Sequence, residues 1–250
     1  QVVSNGQSTT AVNFTTNNTG GTTTYAWTNN TTSIGLAASG TGNITSFSAV
    51  NTGTAPVVAT ITVTPTYTNG GVSTAGTPLT FTITVNPTGQ VNTVANQVLN
   101  HGQTTTAVNF TTANTGGTTT YAWTNNTTSI GLAASGTGST IAAFTAINTT
   151  NAPVVATITV TPTYSNGGLT VAGTPRTFTI TVNPIPTVNA VANQVVCNGS
   201  QQASVAFSGA VAGTVFNWTN STSSIGLAAS GTGNLPAFTA VNTGTTPVVA

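Results

Sequence analysis

Apolar and polar residues alternate along several segments of the chain with a period of two. One such segment begins at Val57 and another runs from residue 79 to 85. In the first, the apolar positions are Val57, Ala59, Ile61 and Val63, and the polar positions are Thr60, Thr62 and Thr64. This period is typical of strands that bury one face and hydrate the other. The pattern predicts antiparallel sheet, with β-branched threonines on the solvent side.

The pattern occurs three times. Tyr-Ala-Trp-Thr at residues 25–28 recurs at 121–124, and a looser Phe-Asn-Trp-Thr begins at Phe216. Trp27 and Trp123 are 96 residues apart, and Trp123 and Trp218 are 95 apart. Each Trp is followed by Ser-Ile-Gly-Leu-Ala-Ala-Ser-Gly-Thr-Gly. Such self-similarity indicates tandem structural units.

The predicted units are repeat 1 (residues 1–87, with a slightly truncated start), repeat 2 (88–184) and repeat 3 (185–250). About seven strands in roughly 95 residues predict an all-β, immunoglobulin-like antiparallel sandwich. The joints at 86–89 and 183–186 are short and carry prolines, which favours a rod-like array over a flexible string.

Repeat 3 stops before its last two strands. The matching segments of repeats 1 and 2 begin near Val57 and Leu79 and have no counterpart after Ala250. Unpaired core strands need a partner. Either the natural chain continues past residue 250 or another chain supplies the strands. The absence of a spare strand at the N-terminus favours continuation.

The aromatic residues admit two interpretations. Their period-two placement favours a core role, and a sugar-stacking platform built on Tyr25, Trp27 and Phe81 is the alternative. Tyr67 and Tyr164 are expected to be partly exposed. The predicted core aromatics are Trp27, Trp123, Trp218, Tyr25, Tyr121, Phe216, Phe81 and Phe178.

Charge is almost absent. The chain has no Asp, Glu or Lys, one Arg and one His, and a formal net charge of +1, whereas ordinary chains are about 25% charged. A surface with almost no charged groups has no electrostatic field that could attract nucleic acid or anionic lipid. No apolar run approaches the ~18 residues of a membrane span.

The chain has almost no side chains suited to catalysis or to metal binding. Only His101 and Cys197 could act as base or nucleophile, and they fall at neighbouring positions of different repeats, about one domain apart. A Cys–His pair must touch to react, so we expect no enzyme activity. Calcium needs several oxygen ligands, normally including carboxylates. We therefore expect no metal and no cofactor.

Threonine rows at 60, 62 and 64 and at 80, 82 and 84 predict a regular hydroxyl face. A solvated sheet face is the plain interpretation. Ice binding and self-association are alternatives, since an uncharged surface lacks the charges that keep sheet edges apart.

Four motifs carry a family resemblance: Tyr-Ala-Trp-Thr, Ser-Gly-Thr-Gly, Thr-Val-Thr-Pro-Thr-Tyr and Phe-Thr-Ile-Thr-Val-Asn-Pro. With them the chain resembles the PKD-like, immunoglobulin-like repeats of large secreted surface proteins of gliding and related Gram-negative bacteria. The resemblance implies export to the cell surface, by type IX secretion, and a role in adhesive or structural fibres. The Trp-Asp-Phe-Gly-Asp-Gly signature of better-known PKD domains is absent.

The resemblance also implies a partner for Cys197. Related repeats often carry a second cysteine in the turn before the final strand, which lies beyond Ala250 in repeat 3. An intradomain disulfide there requires Ser4 to lie near Gly71 or Val72, and Asn100 near Gly168 or Leu169.

The sequence thus predicts a structural segment of an extracellular fibre or adhesin stalk. Its expected partners are neighbouring repeats, further copies of itself, and a surface or glycan target that the sequence does not name. A carbohydrate- or ice-binding module, or a spacer in a larger secreted enzyme, are the alternatives.

Overall fold

The computed structural model describes every residue from Gln1 to Ala250 and consists of strands, loops and three short 3₁₀ turns. Repeat 1 contains β1 (Val2–Ser4), β2 (Thr22–Asn29), β3 (Ser39–Thr41), β4 (Val57–Asn69), β5 (Val72–Ala75) and β6 (Leu79–Asn86), with a 3₁₀ turn at Thr32–Ile34. Repeat 2 contains β7 (Gln97–Asn100), β8 (Val108–Asn109), β9 (Thr118–Asn125), β10 (Ser135–Thr137), β11 (Thr140–Ile141), β12 (Val154–Asn166), β13 (Leu169–Ala172) and β14 (Arg176–Asn183), with a 3₁₀ turn at Thr128–Ile130. Repeat 3 contains β15 (Gln201–Gln202), β16 (Asn217–Thr219), β17 (Ser230–Thr232) and β18 (Phe238–Thr239), with a 3₁₀ turn at Ser223–Ile225.

One six-stranded sheet dominates each of the first two repeats. In repeat 1 the strand order is β1-β6-β4-β2-β3, with β5 also paired to β4, and repeat 2 repeats this order as β7-β14-β12-β9-β10 with β13 on β12. All neighbours are antiparallel except the first strand, which runs parallel to the last. The predicted fold class is confirmed: the chain is all-β, with immunoglobulin-like sandwich repeats in tandem.

The second layer is much smaller than the sequence pattern predicts. In repeat 1 the segment between β1 and β2 pairs with this layer only through single bridges, Val12 to Ile44 and Ser8 to Ser48. In repeat 2 the same segments form only the two-residue strands β8 and β11. The layer still covers the core, because Ile44, Val108 and Ile141 are buried.

A tight hairpin joins β4, the longest strand of the sheet, to the short strand β5. Asn69 is paired with Val72, so Gly70 and Gly71 alone form the loop. Both have positive φ, 56° and 81°, which only glycine adopts without strain and which two-residue hairpin loops of the primed types require. Asn166 and its following glycines build the same turn between β12 and β13.

The cores of repeats 1 and 2 lie between the large sheet and the second layer. Trp27 and Trp123 are each 7% exposed, and Tyr121 and Phe178 are also buried. Tyr25 and Phe81, predicted to be core, are only partly buried and pack against the core from its margin. In repeat 2, Val91 belongs to the buried core cluster and Val94 packs against it, and both line the same groove as Phe178.

Repeat 3 has fewer strands between residues 185 and 250 than repeats 1 and 2 have. The Trp strand pairs with the long β4 in repeat 1 and with the long β12 in repeat 2. In repeat 3 the segment that matches β4 is present only as far as Ala250, and β16 pairs with β17. Within these residues Trp218 and Phe216 are partly buried.

Candidate functional surfaces

Threonine hydroxyls form ordered rows on the outer face of the large sheet. In repeat 1, Thr62 lies between Thr28 and Thr80 in register, and Thr60 lies opposite Thr82. Repeat 2 has the same rows, with Thr159 between Thr124 and Thr177, and Thr157 opposite Thr179. Neighbouring strands are about 4.8 Å apart, and like-facing residues along a strand are about 6.7 Å apart. The face is thus a two-dimensional grid of hydroxyl and methyl groups.

Valines occupy one end of each grid. Val58 is 52% exposed and lies opposite Thr84, which is itself paired with Val2. In repeat 2, Val155 is 50% exposed and Val98 is 69% exposed. The outer face is therefore uncharged throughout and becomes apolar where each repeat meets the first strand of its sheet.

The aromatic side chains do not form an exposed strip. Trp27 and Trp123 point into the cores. Tyr67 is partly exposed, as expected, and its hydroxyl donates to the Thr19 carbonyl at 2.9 Å. The expectation was wrong for Tyr164, which has no exposed surface and donates to the Thr115 carbonyl at 2.9 Å. Burial raises the pKa of Tyr164 above its ordinary value.

Tyr164 is buried because the joint between repeats covers it. The linker glycine Gly89 lies against the backbone of Pro162 and Tyr164; a Cβ there would be 2.9 Å from the Pro162 carbonyl oxygen. Gly116 lies against Pro56 of repeat 1 at the same place. Tyr67, at the equivalent position of repeat 1, is partly exposed.

An asparagine at the end of each Trp strand forms hydrogen bonds with the loop that follows it. The Asn29 amide donates to the Leu36 carbonyl at 3.0 Å, and its Oδ1 accepts from the Thr31 N–H at 3.0 Å. Asn125 and Asn220 make the same bonds in the other repeats. Each side chain ties the 3₁₀ turn and its following loop to the end of the Trp strand.

A second buried asparagine links the loop before β4 to the last strand. The Asn51 amide donates to the Val85 carbonyl at 2.7 Å and to the Ala55 carbonyl at 2.8 Å. Asn148 makes the same bonds to Val182 and Ala152. Sequence reasoning missed both sets, although asparagine recurs at these positions in all three repeats.

His101 belongs to this network. Its Nδ1 accepts a hydrogen bond from the Asn148 N–H at 2.9 Å. In the other repeats an asparagine Oδ1 is the acceptor. Asn5 Oδ1 accepts from the Asn51 N–H at 2.7 Å, and Asn198 Oδ1 accepts from the Asn242 N–H at 2.9 Å. The histidine thus fills a structural position that asparagine fills elsewhere.

The geometry excludes the disulfide that the resemblance implied. Ser4 is paired with Asn86, at the end of the sheet where Val57 begins β4. Gly71 and Val72 follow the other end of this 13-residue strand, about 40 Å away at ~3.3 Å per residue. The same arrangement separates Asn100 from Leu169 in repeat 2. The prediction of a bridge from Cys197 to the turn position that matches Val72 or Leu169 is therefore wrong. Cys197 is exposed and has no disulfide partner among residues 1–250.

No cluster of His, Cys, Asp or Glu side chains suited to a metal ion occurs in the chain. A shallow groove in repeat 2 lies between residues 91–94 and the start of β14, with Phe178 among its lining residues. Arg176 lies on its rim and donates to the Thr93 hydroxyl at 3.0 Å. No helix here has the length and apolar character needed to cross a bilayer.

Comparison with known proteins gives structural neighbours only. The chain matches no protein-family model and no curated protein sequence. Among solved structures it is similar to the Protocadherin GammaB4 extracellular domain, with 12% identity, a TM-score of 0.36, and coverage of 90% of this chain and 41% of that chain. It is also similar to mouse Cadherin-23 EC22-24, with 10% identity, a TM-score of 0.38, and coverage of 87% and 76%. Sidekick-1 immunoglobulin domains 1-4 match with 11% identity, a TM-score of 0.23, and coverage of 97% and 64%. The chain spans about two fifths of the protocadherin chain.

Proposed function

We propose that the chain is a structural segment of an extracellular, adhesin-type stalk or surface fibre and has no catalytic role. The observation that carries this proposal is the packed series of like modules: repeats 1 and 2 have the same strand order, and their joint buries Tyr164 completely. A module that packs on its neighbour through a short linker transmits force and sets spacing. Those are the tasks of a stalk.

The uncharged surface suits this task. It holds no titratable cluster at which chemistry could occur. It also presents no like charges that would keep two such stalks apart. We propose further that the segment belongs to a secreted bacterial surface protein of the kind its motifs resemble, and that its threonine faces allow copies to associate into filaments.

Solution scattering and electron microscopy test the proposal together. The scattering profile of the 250-residue chain should give a maximum dimension well above that of a sphere of equal mass. At rising concentration, micrographs should contain particles of uniform width. A compact particle, with repeats 1 and 2 folded back on each other, would contradict the stalk function.

Ice binding is a second candidate, favoured by one observation. The threonine rows are in register across three strands in both complete repeats. Inhibition of ice recrystallisation by the purified chain would support this function. Replacing Thr62 and Thr159, the central residues of the two grids, by lysine should then abolish it, whereas lysine at the exposed Thr45, outside the grid, should not. An inactive parent chain excludes it.

A further inference from the structure

Two asparagines from different repeats meet in the joint. Asn86 ends the last strand of repeat 1 and is 1% exposed, and Asn166 ends the long strand β12 of repeat 2. The Asn86 amide donates to the Asn166 carbonyl at 3.0 Å, and the Asn166 amide donates to Asn86 Oδ1 at 2.9 Å. We name this pair of bonds the amide clasp.

The clasp is accompanied by further contacts across the joint. Beside it, Val2 packs on the turn after Asn166; a Cβ added to Gly167 would be 3.0 Å from Val2 Cγ1. Elsewhere in the joint, the Thr54 carbonyl of repeat 1 accepts from the Thr115 N–H at 2.9 Å and from the Asn114 amide at 3.3 Å. Contacts at two separate places restrict the orientation of one body on another, whereas a single contact leaves a hinge.

Asn114 joins the linker to these contacts. Its amide donates to the Thr88 carbonyl at 3.1 Å as well as to Thr54, and its Oδ1 accepts from the Gln90 N–H at 2.7 Å. One side chain therefore holds repeat 1, the linker and repeat 2 together. Every group in this set is neutral, so salt does not screen the joint.

We infer that the amide clasp, together with the Asn114 bonds, locks repeats 1 and 2 at a fixed angle without any bound ion. Buried amide bonds serve this purpose because breaking one leaves a desolvated donor or acceptor unpaired. Inter-domain interfaces are otherwise small and permit relative motion.

The clasp pairs the last strand of repeat 1 with the Asn-Gly-Gly turn of repeat 2. Asn183 ends the last strand of repeat 2 in the place of Asn86, but its amide donates at 3.3 Å to Asn100 within its own repeat. Asn69 holds the place of Asn166 in repeat 1 and is exposed. Asn69 thus offers a control residue in the same turn, outside the joint.

Double electron–electron resonance, which measures the distance between one spin label on each repeat, tests the lock. In a Cys197→Ser background, Thr80→Cys and Thr124→Cys place labels on exposed strand positions of repeats 1 and 2. The parent should give one narrow distance distribution, in the presence or absence of a chelator and at low or high salt. Asn166→Ala should broaden it, and Asn69→Ala should leave it narrow.

A second variant acts through the linker. Gly89→Ala places a Cβ against Pro162 and should broaden the distribution in the same way, while circular dichroism reports that both variants keep their sheet content. A parent distribution that is already broad, or that broadens with chelator, would overturn the inference. Equal distributions for Asn166→Ala and Asn69→Ala would overturn it as well.

Discussion

The indole ring of Trp123 lies against Gly136 on the neighbouring strand. The two residues are directly paired across β9 and β10, and a Cβ on Gly136 would lie 2.5 Å from Cζ2 of the ring. Gly40 and Gly231 face their tryptophans in the same way. This contact is the physical reason that the Ser-Gly-Thr-Gly phrase follows each Trp with glycine at its second position.

Replacing Gly136 by alanine is therefore expected to displace the indole from a filled core. Overpacking of this kind costs about 1–3 kcal/mol of the free energy of unfolding. Thr137→Ala, on the next residue of the same strand but facing solvent, should cost about 0.5 kcal/mol or less. Urea unfolding of the two variants and the parent measures both values. Equal stability of Gly136→Ala and the parent would mean that the ring moves aside freely.

The buried asparagines give the second prediction. Asn148→Ala removes the donor to two carbonyls, of which Val182 belongs to the last strand of the repeat. Leaving buried acceptors unpaired costs about 1–3 kcal/mol. Asn109→Ala, at an exposed position of β8, serves as the control and should be nearly neutral. If both variants unfold at the same urea concentration, the buried amide does not contribute to stability.

His101 is predicted to be replaceable by asparagine but not by alanine. Asparagine supplies an acceptor to the loop N–H at the equivalent positions of repeats 1 and 3. His101→Asn should keep the stability of the parent, and His101→Ala should lose about 1 kcal/mol because the Asn148 N–H loses its partner. The midpoint temperatures of thermal unfolding of the parent, His101→Asn and His101→Ala measure these differences in stability. A destabilised His101→Asn would show that the imidazole has a role beyond accepting this bond.

The two buried tyrosines predict a decline of stability in alkali. Burial raises the pKa of Tyr121, with partial opposition from the Thr112 hydroxyl, and burial also raises the pKa of Tyr164. Because the pKa of each hydroxyl is higher in the folded chain, the tyrosines ionise more readily in the unfolded chain, and ionisation therefore favours unfolding. The stabilisation is complete below about pH 10, the unfolded value, and is lost as the pH rises through the folded-state value.

Urea unfolding at pH 8 and pH 11 measures this decline. Tyr164→Phe lowers stability at pH 8, since the Thr115 carbonyl loses its donor, but makes the loss between the two pH values smaller. A parent chain with equal stability at both pH values would contradict the burial of these hydroxyls.

Local patterns of the sequence determined the large sheet. The alternation of Ile61 and Val63 with threonines predicts which face is buried, because side chains of a strand point alternately to opposite sides. The Asn-Gly-Gly turns predict the hairpin, because two of their residues tolerate positive φ. Recurrence at 95 and 96 residues predicts the tandem units. These signals depend on neighbouring residues alone, so one sequence suffices to read them.

The tertiary structure alone decided the rest. Whether Ser4 lies near Val72 depends on which end of β6 the first strand joins, and parallel pairing with Asn86 puts them at opposite ends. The burial of Tyr164 depends on the neighbouring repeat and not on the local sequence, which is nearly the same around the partly exposed Tyr67. The contact of Asn86 with Asn166 joins residues 80 positions apart. Such relations arise from packing between elements, and no periodicity along the chain encodes them.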